Sequence, residues 1–181
     1  MNRAVFLDRD GILNDVVMRN GIVSSPWSLE ELRIVEEAKV LVRDLKRQGF
    51  LVFVVTNQPD VARGNLSEED LFLINERVKR VFQVDGIECS LSADNEDPRR
   101  KPNPGMIREL CDQHGIAPGG SYFVGDGWKD MDAGRAAGVT TILLARPYNS
   151  AAATYADHTC HSYEEIVDMC RFPSGEAEDD V

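Results

Sequence analysis

The stretch Phe50-Leu-Val-Phe-Val-Val55, followed by Thr56, decides the fold class of this chain. Its apolar residues run without interruption, whereas a strand with one face in water alternates apolar and polar residues. Such a run indicates a strand buried on both faces, and strands of this kind belong to parallel sheets that helices cover from both sides. The run is far too short to cross a membrane, which takes about 20 residues.

Shorter apolar runs and helical patterns alternate on both sides of this stretch. Apolar runs predict further strands at 4–7, 87–91, 121–124, 140–145 and 158–160. Apolar residues spaced by three and four predict helices at 37–48, 67–82, 104–115, 129–137 and 163–170. This alternation predicts an α/β fold, a Rossmann-like parallel sheet with helices on both faces. In such sheets, ligands bind beyond the carboxyl ends of the strands.

Composition limits the classes of function. The 181 residues suit one domain, expected at 1–172, with an acidic and disordered tail at 173–181. Lys and Arg number 20 and Asp and Glu number 31, and the net charge of −11 argues against a nucleic-acid partner. The four cysteines are isolated, and no signal-peptide core follows Met1. We therefore expect a reduced, cytoplasmic protein without a membrane partner.

Polar residues follow the predicted strands at their carboxyl ends. Asp8 and Asp10 follow the first strand, and Thr56 follows the second. Lys101 precedes the predicted helix at 104–115, and Asp126 follows the strand at 121–124. Carboxylates that gather in one place repel each other unless a cation lies among them, and Mg²⁺ prefers oxygen ligands. The sequence therefore predicts a Mg²⁺ site at this edge of the sheet, with Asp126 among its ligands.

Each of these residue types has a role in the hydrolysis of a phosphate ester. Asp8 is placed to act as the nucleophile and form an aspartyl-phosphate. Asp10, two residues later, fits a general acid and base. Thr56 and Lys101 fit donors to the oxygens of the phosphoryl group. Arg100 is placed to hold a substrate oxygen in a forked contact.

At these positions the sequence resembles the haloacid dehalogenase superfamily of phosphatases, over residues 4 to 146. The resemblance implies a Mg²⁺-dependent phosphomonoester hydrolase that acts through an aspartyl-phosphate. The residues that match the motifs of the superfamily are Asp8-Arg9-Asp10-Gly11, Thr56, Lys101, Gly125-Asp126 and Asp130.

Within the superfamily, the chain is similar to the D-glycero-D-manno-heptose 1,7-bisphosphate 7-phosphatases and the related histidinol-phosphatases. This resemblance implies a small phosphorylated sugar as partner and removal of the 7-phosphate in heptose nucleotide biosynthesis. Histidinol phosphate or another small metabolite is the alternative substrate. The resemblance implies Mg²⁺ held by the Asp8 side chain, the Asp10 backbone carbonyl and Asp126. It also implies substrate contacts at Asn57 and Arg100. The stretches that carry it are 6–11, 56–58, 61–64, 100–102 and 104–105.

The chain departs from this subfamily in two places. Many members have a zinc loop, with a Cys-x-His and then a Cys-x-Cys just before Arg-Lys-Pro. Here Asp97 and Arg99 occupy the second pair of positions, and Cys89 stands without a histidine. One cysteine does not make a tetrahedral zinc site, so we expect no zinc. Gly127 follows Asp126, where some relatives have a lysine that contacts the substrate.

The spacing of the motifs leaves no room for a cap domain. The gaps between the first and second motifs and between the second and third each span fewer than about 50 residues. Each gap already holds a predicted helix and strand. We therefore expect a site open to solvent, screened only by loops such as 15–29. Arg19 lies in that loop with Trp27 and is a predicted substrate contact.

Two other classes of protein would explain part of the pattern. A receiver-type signalling domain also combines a parallel sheet, Mg²⁺ and a phospho-aspartate. It would have a lysine after the fifth strand, where this chain has Ala145-Arg146. A metal-dependent glycosyltransferase or nucleotidyltransferase would use the two acids of the first motif and leave Thr56 and Lys101 unexplained. The oligomeric state is not set by the sequence.

Overall fold

The computed structural model describes residues 1–171. The tail expected to be disordered, 173–181, lies outside the described residues. The strands are β1 (Ala4–Leu7), β2 (Val17–Arg19), β3 (Ile22–Ser24), β4 (Leu51–Asn57), β5 (Gly86–Ser90), β6 (Tyr122–Gly125), β7 (Thr140–Leu144) and β8 (His158–Cys160).

One six-stranded sheet, with the order β5-β4-β1-β6-β7-β8, forms the centre of the molecule. Every neighbouring pair in it is parallel. Leu7, the last residue of β1, lies opposite Val54 of β4 on one side and Val124 of β6 on the other. Because these three strands run in the same direction and in register, the residues that follow them meet at one edge.

Five α-helices are described around the sheet, together with a 3₁₀ helix at Ser150–Tyr155. They lie close to the predicted positions, with ends that differ by one or a few residues. Ser67 caps the second helix by accepting a hydrogen bond from the Asp70 N–H at 3.0 Å. The helices are α1 (Glu36–Arg47), α2 (Glu68–Phe82), α3 (Gly105–His114), α4 (Trp128–Ala137) and α5 (Tyr163–Met169).

Side chains of the strands alternate between two apolar cores. Val52 and Val54 belong to a core that includes residues of α1, α2 and α5. Phe53 and Val55 belong to a second core, which includes residues of α3 and α4. Burial on both faces explains why this strand is apolar throughout. The predicted parallel sheet with helices on both faces is thus confirmed.

The predicted loop at 15–29 contains a small antiparallel hairpin, β2 paired with β3. Its turn consists of Asn20 and Gly21, with φ values of 52° and 79°. Positive φ at both positions is typical of the two-residue type I′ turn, and Asn-Gly is its preferred sequence. The hairpin lies within the segment expected as a loop, and the Asn-Gly turn was a signal for it.

No cap domain is present among residues 1–171. The hairpin, rather than a separate domain, stands beside the carboxyl ends of the strands. In that same described part of the chain, no helix has the length and apolar character needed to span a membrane.

Candidate active site

Three carboxylates converge at the carboxyl ends of the central strands. Asp8 follows β1, and its N–H donates to the carbonyl of Val124 in β6 at 2.9 Å. Asp126 follows β6, and Asp130 enters from the first turn of α4. One carboxylate oxygen from each of Asp8, Asp126 and Asp130 lies within 4.8 Å of the others. The sheet thus concentrates negative charge at the predicted position.

Lys101 lies among these carboxylates and is buried. Its Nζ donates to Asp8 Oδ1 at 2.8 Å, to Asp130 Oδ1 at 2.7 Å and to the carbonyl of Val55 at 2.8 Å. Burial alone would lower the pKa of Lys101, but the charges of Asp130 and Asp8 raise it above its ordinary value. The lysine therefore stays protonated beside Asp8.

Asn57 holds the backbone of Lys101 from the end of β4. Its Oδ1 accepts from the Lys101 N–H at 3.0 Å, and its Nδ2 donates to the Lys101 carbonyl at 2.9 Å. This pair of contacts fixes the loop before α3 against the sheet. Asn57, which was predicted to contact the substrate, therefore also positions Lys101, the predicted catalytic lysine.

The Asp10 carboxylate is oriented by side chains from three parts of the chain. Arg9, which is fully buried, donates to it through Nε at 3.0 Å and Nη2 at 3.2 Å. Asn14 donates at 2.9 Å and Gln58 donates at 2.8 Å. Gln58 also donates to Thr56 Oγ1 at 2.9 Å, which links Asp10 to the predicted phosphate donor. Sequence reasoning gave no role to Arg9, Asn14 or Gln58, although Arg9 and Gln58 lie in the stretches that carry the resemblance.

The carboxylates fit a hard divalent cation. Burial, followed by the charge of Asp130, raises the pKa of Asp8 well above its ordinary value. The same two causes raise the pKa of Asp126 to about 7. Oxygen donors this close together are the ligand type that Mg²⁺ takes, and a cation would offset their repulsion. Both oxygens of Asp130 already accept hydrogen bonds, from Lys101 Nζ and from Gly127 N–H, which favours a positioning role for Asp130.

Asp126 is held from a second side by the loop after β7. The Tyr148 hydroxyl donates to Asp126 Oδ2 at 2.6 Å, and Asn149 Nδ2 donates to the Asp126 carbonyl at 2.8 Å. Gly11 gives the carboxylate its space, because a Cβ there would lie 2.0 Å from Asp126 Oδ2. Tyr148 and Asn149 were missed in the sequence, although they also follow a strand at its carboxyl end.

A cleft of about 420 Å³ opens beside the carboxylates. Its other wall is formed by the hairpin and by the loop after β4, including Ile22, Trp27 and Arg63. Arg63 was not among the predicted site residues. The predicted site residues that line the cleft are Asp8, Asp10, Arg19, Asn57 and Asp126.

The other predicted site residues, Thr56, Arg100 and Lys101, are buried. Arg100 Nη1 donates to the Ser92 carbonyl at 2.7 Å, and its Nε donates to Asn95 Oδ1 at 3.3 Å. The structure therefore brings Arg100 close to the site while using its guanidinium to hold the loop at 91–99.

That loop, which has an aspartate and an arginine at two of the zinc-ligand positions, is held by charged and polar contacts. Arg99 pairs with Glu88 in β5 and, through Nε at 3.0 Å, with Glu109 in α3. Asn103 Nδ2 donates to the carbonyls of Asn95 and Asp97, both at 2.9 Å. These contacts fix the segment that leads into Lys101.

A larger cavity, of about 670 Å³, lies between α1 and α5. Its described lining includes acids such as Asp15 and Glu37 and apolar residues such as Val40. None of the predicted catalytic residues is among that lining. The carboxylates and the lysine that gather at the strand ends, rather than cavity size, therefore identify the candidate site.

Comparison with known proteins places the chain among hydrolases of one fold. A family model described as HAD-hydrolase-like matches residues 98–166. The D-glycero-alpha-D-manno-heptose-1,7-bisphosphate 7-phosphatase of Burkholderia mallei is 33% identical over 190 residues, covering 97% of this chain and 97% of the relative. The D-glycero-beta-D-manno-heptose-1,7-bisphosphate 7-phosphatase of Escherichia coli is 35% identical over 179 residues, covering 90% of this chain and 91% of the relative.

A solved structure has the same fold. It is the D,D-heptose 1.7-bisphosphate phosphatase from B. bronchiseptica, complexed with magnesium and phosphate. The TM-score is 0.79 at 23% sequence identity, and the match covers 92% of this chain and 97% of that chain.

Proposed function

This chain belongs to the haloacid dehalogenase-like hydrolases and is a phosphatase, and on that premise we propose that it removes the 7-phosphate of D-glycero-D-manno-heptose 1,7-bisphosphate. The two relatives that support this substrate are named for different anomers, alpha and beta. The proposal therefore specifies the sugar and the position of the phosphate, and it leaves the anomer to measurement.

The contact between Lys101 and Asp8 carries the proposed chemistry. The ammonium of Lys101 lies 2.8 Å from a carboxylate oxygen of Asp8 and 2.7 Å from Asp130. A phosphate dianion that approaches a carboxylate nucleophile is repelled by it. A fixed positive charge beside the nucleophile offsets this repulsion and stabilises the charge on the phosphoryl oxygens.

The proposed reaction has two steps. In the first, an Asp8 oxygen attacks phosphorus, the bond from phosphorus to the sugar oxygen breaks, and Asp10 gives a proton to that oxygen. In the second, Asp10 takes a proton from water while the water oxygen attacks phosphorus. The acyl phosphate bond then breaks, which releases inorganic phosphate and regenerates Asp8.

The remaining residues serve the same two steps. Lys101 and Thr56 are proposed to donate to the phosphoryl oxygens. Asp8, the Asp10 backbone carbonyl and Asp126 are proposed to hold Mg²⁺, which neutralises phosphate charge when bound. The family resemblance supports the Asp10 carbonyl as a ligand, and the close approach of the carboxylates supports the Asp8 and Asp126 side chains.

Phosphate release from a panel of substrates tests the proposal. The panel contains the two anomers of the heptose bisphosphate, histidinol phosphate, fructose 1,6-bisphosphate and an aryl phosphate, each with Mg²⁺. Asp8→Asn is the control variant and should abolish turnover of every substrate. We expect one heptose anomer to exceed the non-heptose substrates in kcat/KM by more than about a hundredfold, or about 2.7 kcal/mol.

Three results would count against the proposal, each against a different part of it. Equal turnover across the panel, dependent on Asp8, would overturn the substrate and keep the phosphatase. Preference for histidinol phosphate would replace the heptose by the alternative substrate. Turnover that persists in Asp8→Asn would overturn the proposed nucleophile.

A further inference from the structure

The two arginines that line the cleft differ in how many partners they have. Arg19 donates through Nε to Ser24 Oγ at 3.3 Å, through Nη1 to Glu31 at 3.1 Å and through Nη2 to the Ser25 carbonyl at 3.2 Å. A second bond from Nη2 also reaches Glu31. The guanidinium lies over the Trp27 ring, with its central carbon 3.7 Å from the centroid. Arg19 is thus occupied in holding the hairpin.

Arg63 faces the same cleft and is weakly held. Among the described residues, the one hydrogen bond of its side chain joins Nη1 to Asp60 Oδ1 at 3.4 Å, and 53% of the side chain is exposed. Asp60 is shared, because Trp27 Nε1 donates to it at 3.1 Å and Asn65 donates at 3.2 Å. Most donors of the Arg63 guanidinium therefore remain available to a ligand.

Two further cations, Arg100 and Lys129, interact electrostatically with Arg63. Burial, and after it the charge of Arg63, lowers the pKa of Arg100. Burial, followed by the charges of Arg100 and Arg63, lowers the pKa of Lys129 in the first turn of α4. Arg63, Arg100 and Lys129 thus form a group of cations that interact with one another, in a chain whose net charge is −11. Such a cluster favours a negatively charged ligand.

We propose that Arg63 binds the phosphate of the substrate that is not hydrolysed, and so makes the enzyme selective for sugar bisphosphates over monophosphates. This inference rests on the proposed function and adds a residue to it. Asp8 and Arg63 line the same cleft of about 420 Å³, so one substrate can contact both. A guanidinium binds a phosphate through two parallel N–H donors, which lysine does not reproduce.

The test compares two substrates that differ by one phosphate, heptose 1,7-bisphosphate and heptose 7-phosphate. Arg63→Gln should lower kcat/KM for the bisphosphate by about tenfold to a hundredfold, mainly through KM. Its kcat/KM for the monophosphate should change by less than about threefold. Arg63→Lys should restore part of the loss. Arg77→Gln, on the exposed face of α2, is the matched control and should leave both substrates unchanged.

The outcomes separate this inference from the proposed function. Equal losses on both substrates in Arg63→Gln, with an unchanged thermal midpoint, would overturn the role of Arg63 and leave the proposed function intact. If the wild type hydrolyses neither heptose phosphate, the proposed function fails. Fructose 1,6-bisphosphate and fructose 6-phosphate then replace the heptose pair. A loss of kcat/KM in Arg63→Gln on the bisphosphate alone supports the role of Arg63, and an equal loss on both substrates overturns it.

Discussion

Among single residues, Asp126 gives the most direct dependence on pH. Burial and Asp130 raise its pKa to about 7. A carboxyl group with a raised pKa binds its proton more tightly in the folded state, so metal-free stability falls as pH rises from about 4 through about 7. We expect the thermal midpoint in EDTA to be lower at about pH 8 than at about pH 5, and Asp126→Asn to reduce this difference. Equal pH dependence in the two proteins would contradict this account.

Tyr148 acts on the same carboxylate without belonging to the predicted motifs. Its hydroxyl donates to Asp126 Oδ2 at 2.6 Å. Hydrogen bonds of this kind orient metal ligands, and their loss weakens metal binding by about tenfold to a hundredfold. We expect Tyr148→Phe to weaken Mg²⁺ binding by about tenfold, measured by calorimetry on the protein without substrate. Tyr155→Phe, at a tyrosine whose ring packs against Trp128, should leave the Mg²⁺ affinity unchanged.

At the residue scale, the sequence indicated which residues gather but not how each is used. Asp8 and Asp126 were predictable because each directly follows a strand. The ion pair of Arg19 with Glu31 was not predictable, because it depends on how the hairpin folds back on the chain. Arg63 lies in the stretch 61–64 that carries the subfamily resemblance, but sequence reasoning assigned it no role, because an exposed arginine after a strand is common on protein surfaces.

At the scale of elements, a substitution at Gly134 tests the packing of α4 against the sheet. A Cβ at Gly134 would lie 2.7 Å from Thr141 Cγ2 and 3.1 Å from Phe123 Cβ. Overpacking of this kind costs about 1–3 kcal/mol, more than alanine gains in helix propensity. We expect Gly134→Ala to lower the free energy of unfolding by about 1–2 kcal/mol in denaturant titration.

Gly119→Ala is the matched control for this substitution. No atom lies within 4 Å of a Cβ built at Gly119. The free energy of unfolding should therefore change by less than about 0.5 kcal/mol. An equal loss in both variants would show that the effect at Gly134 does not come from packing against the sheet.

The loop at 91–99 should keep its structure without zinc. Burial raises the pKa of the Cys89 thiol to about 11, which disfavours the thiolate that zinc requires. We expect less than about 0.1 zinc per chain by elemental analysis, and no gain in thermal midpoint when zinc is added to Mg²⁺-loaded protein. A midpoint that rises with stoichiometric zinc would contradict this expectation.

Arg99 gives a second measurement on the same loop, because it joins β5 to α3 through Glu88 and Glu109. Arg99→Gln should speed hydrogen exchange at 91–99 by about tenfold, which corresponds to about 1.4 kcal/mol. Arg47→Gln, in an exposed ion pair of α1, should leave exchange in this loop unchanged.

Most elements of the fold were predictable from local pattern. Uninterrupted apolar runs marked the central strands, and Ser67 with three acids after it marked the start of α2. The hairpin escaped prediction because each of its strands has three residues, too few for a periodic pattern to emerge. Its Asn20-Gly21 turn was the better signal, since turn geometry depends on two residues alone.

At the scale of the whole molecule, the site joins parts of the chain that are far apart. Lys101 and Asp8 are 93 positions apart in sequence, and Asn57 and Lys101 are 44 apart. Sequence order predicted that the strand ends would share an edge, because the strands of the six-stranded sheet are all parallel. The neighbours of β1 in the sheet, β4 and β6, come from opposite halves of the chain, and local pattern does not specify that order.

The absence of a cap domain among residues 1–171 has a consequence for the choice of phosphoryl acceptor. An acyl phosphate on Asp8 would stand in a cleft that alcohols enter as readily as water does, and enzymes suppress such side reactions by closing the site. In concentrated glycerol we therefore expect glycerol phosphate among the products, with more sugar released than inorganic phosphate. Equal release of the two at every glycerol concentration would contradict this expectation. The open architecture would thus make a hydrolase in water into a phosphotransferase in alcohol.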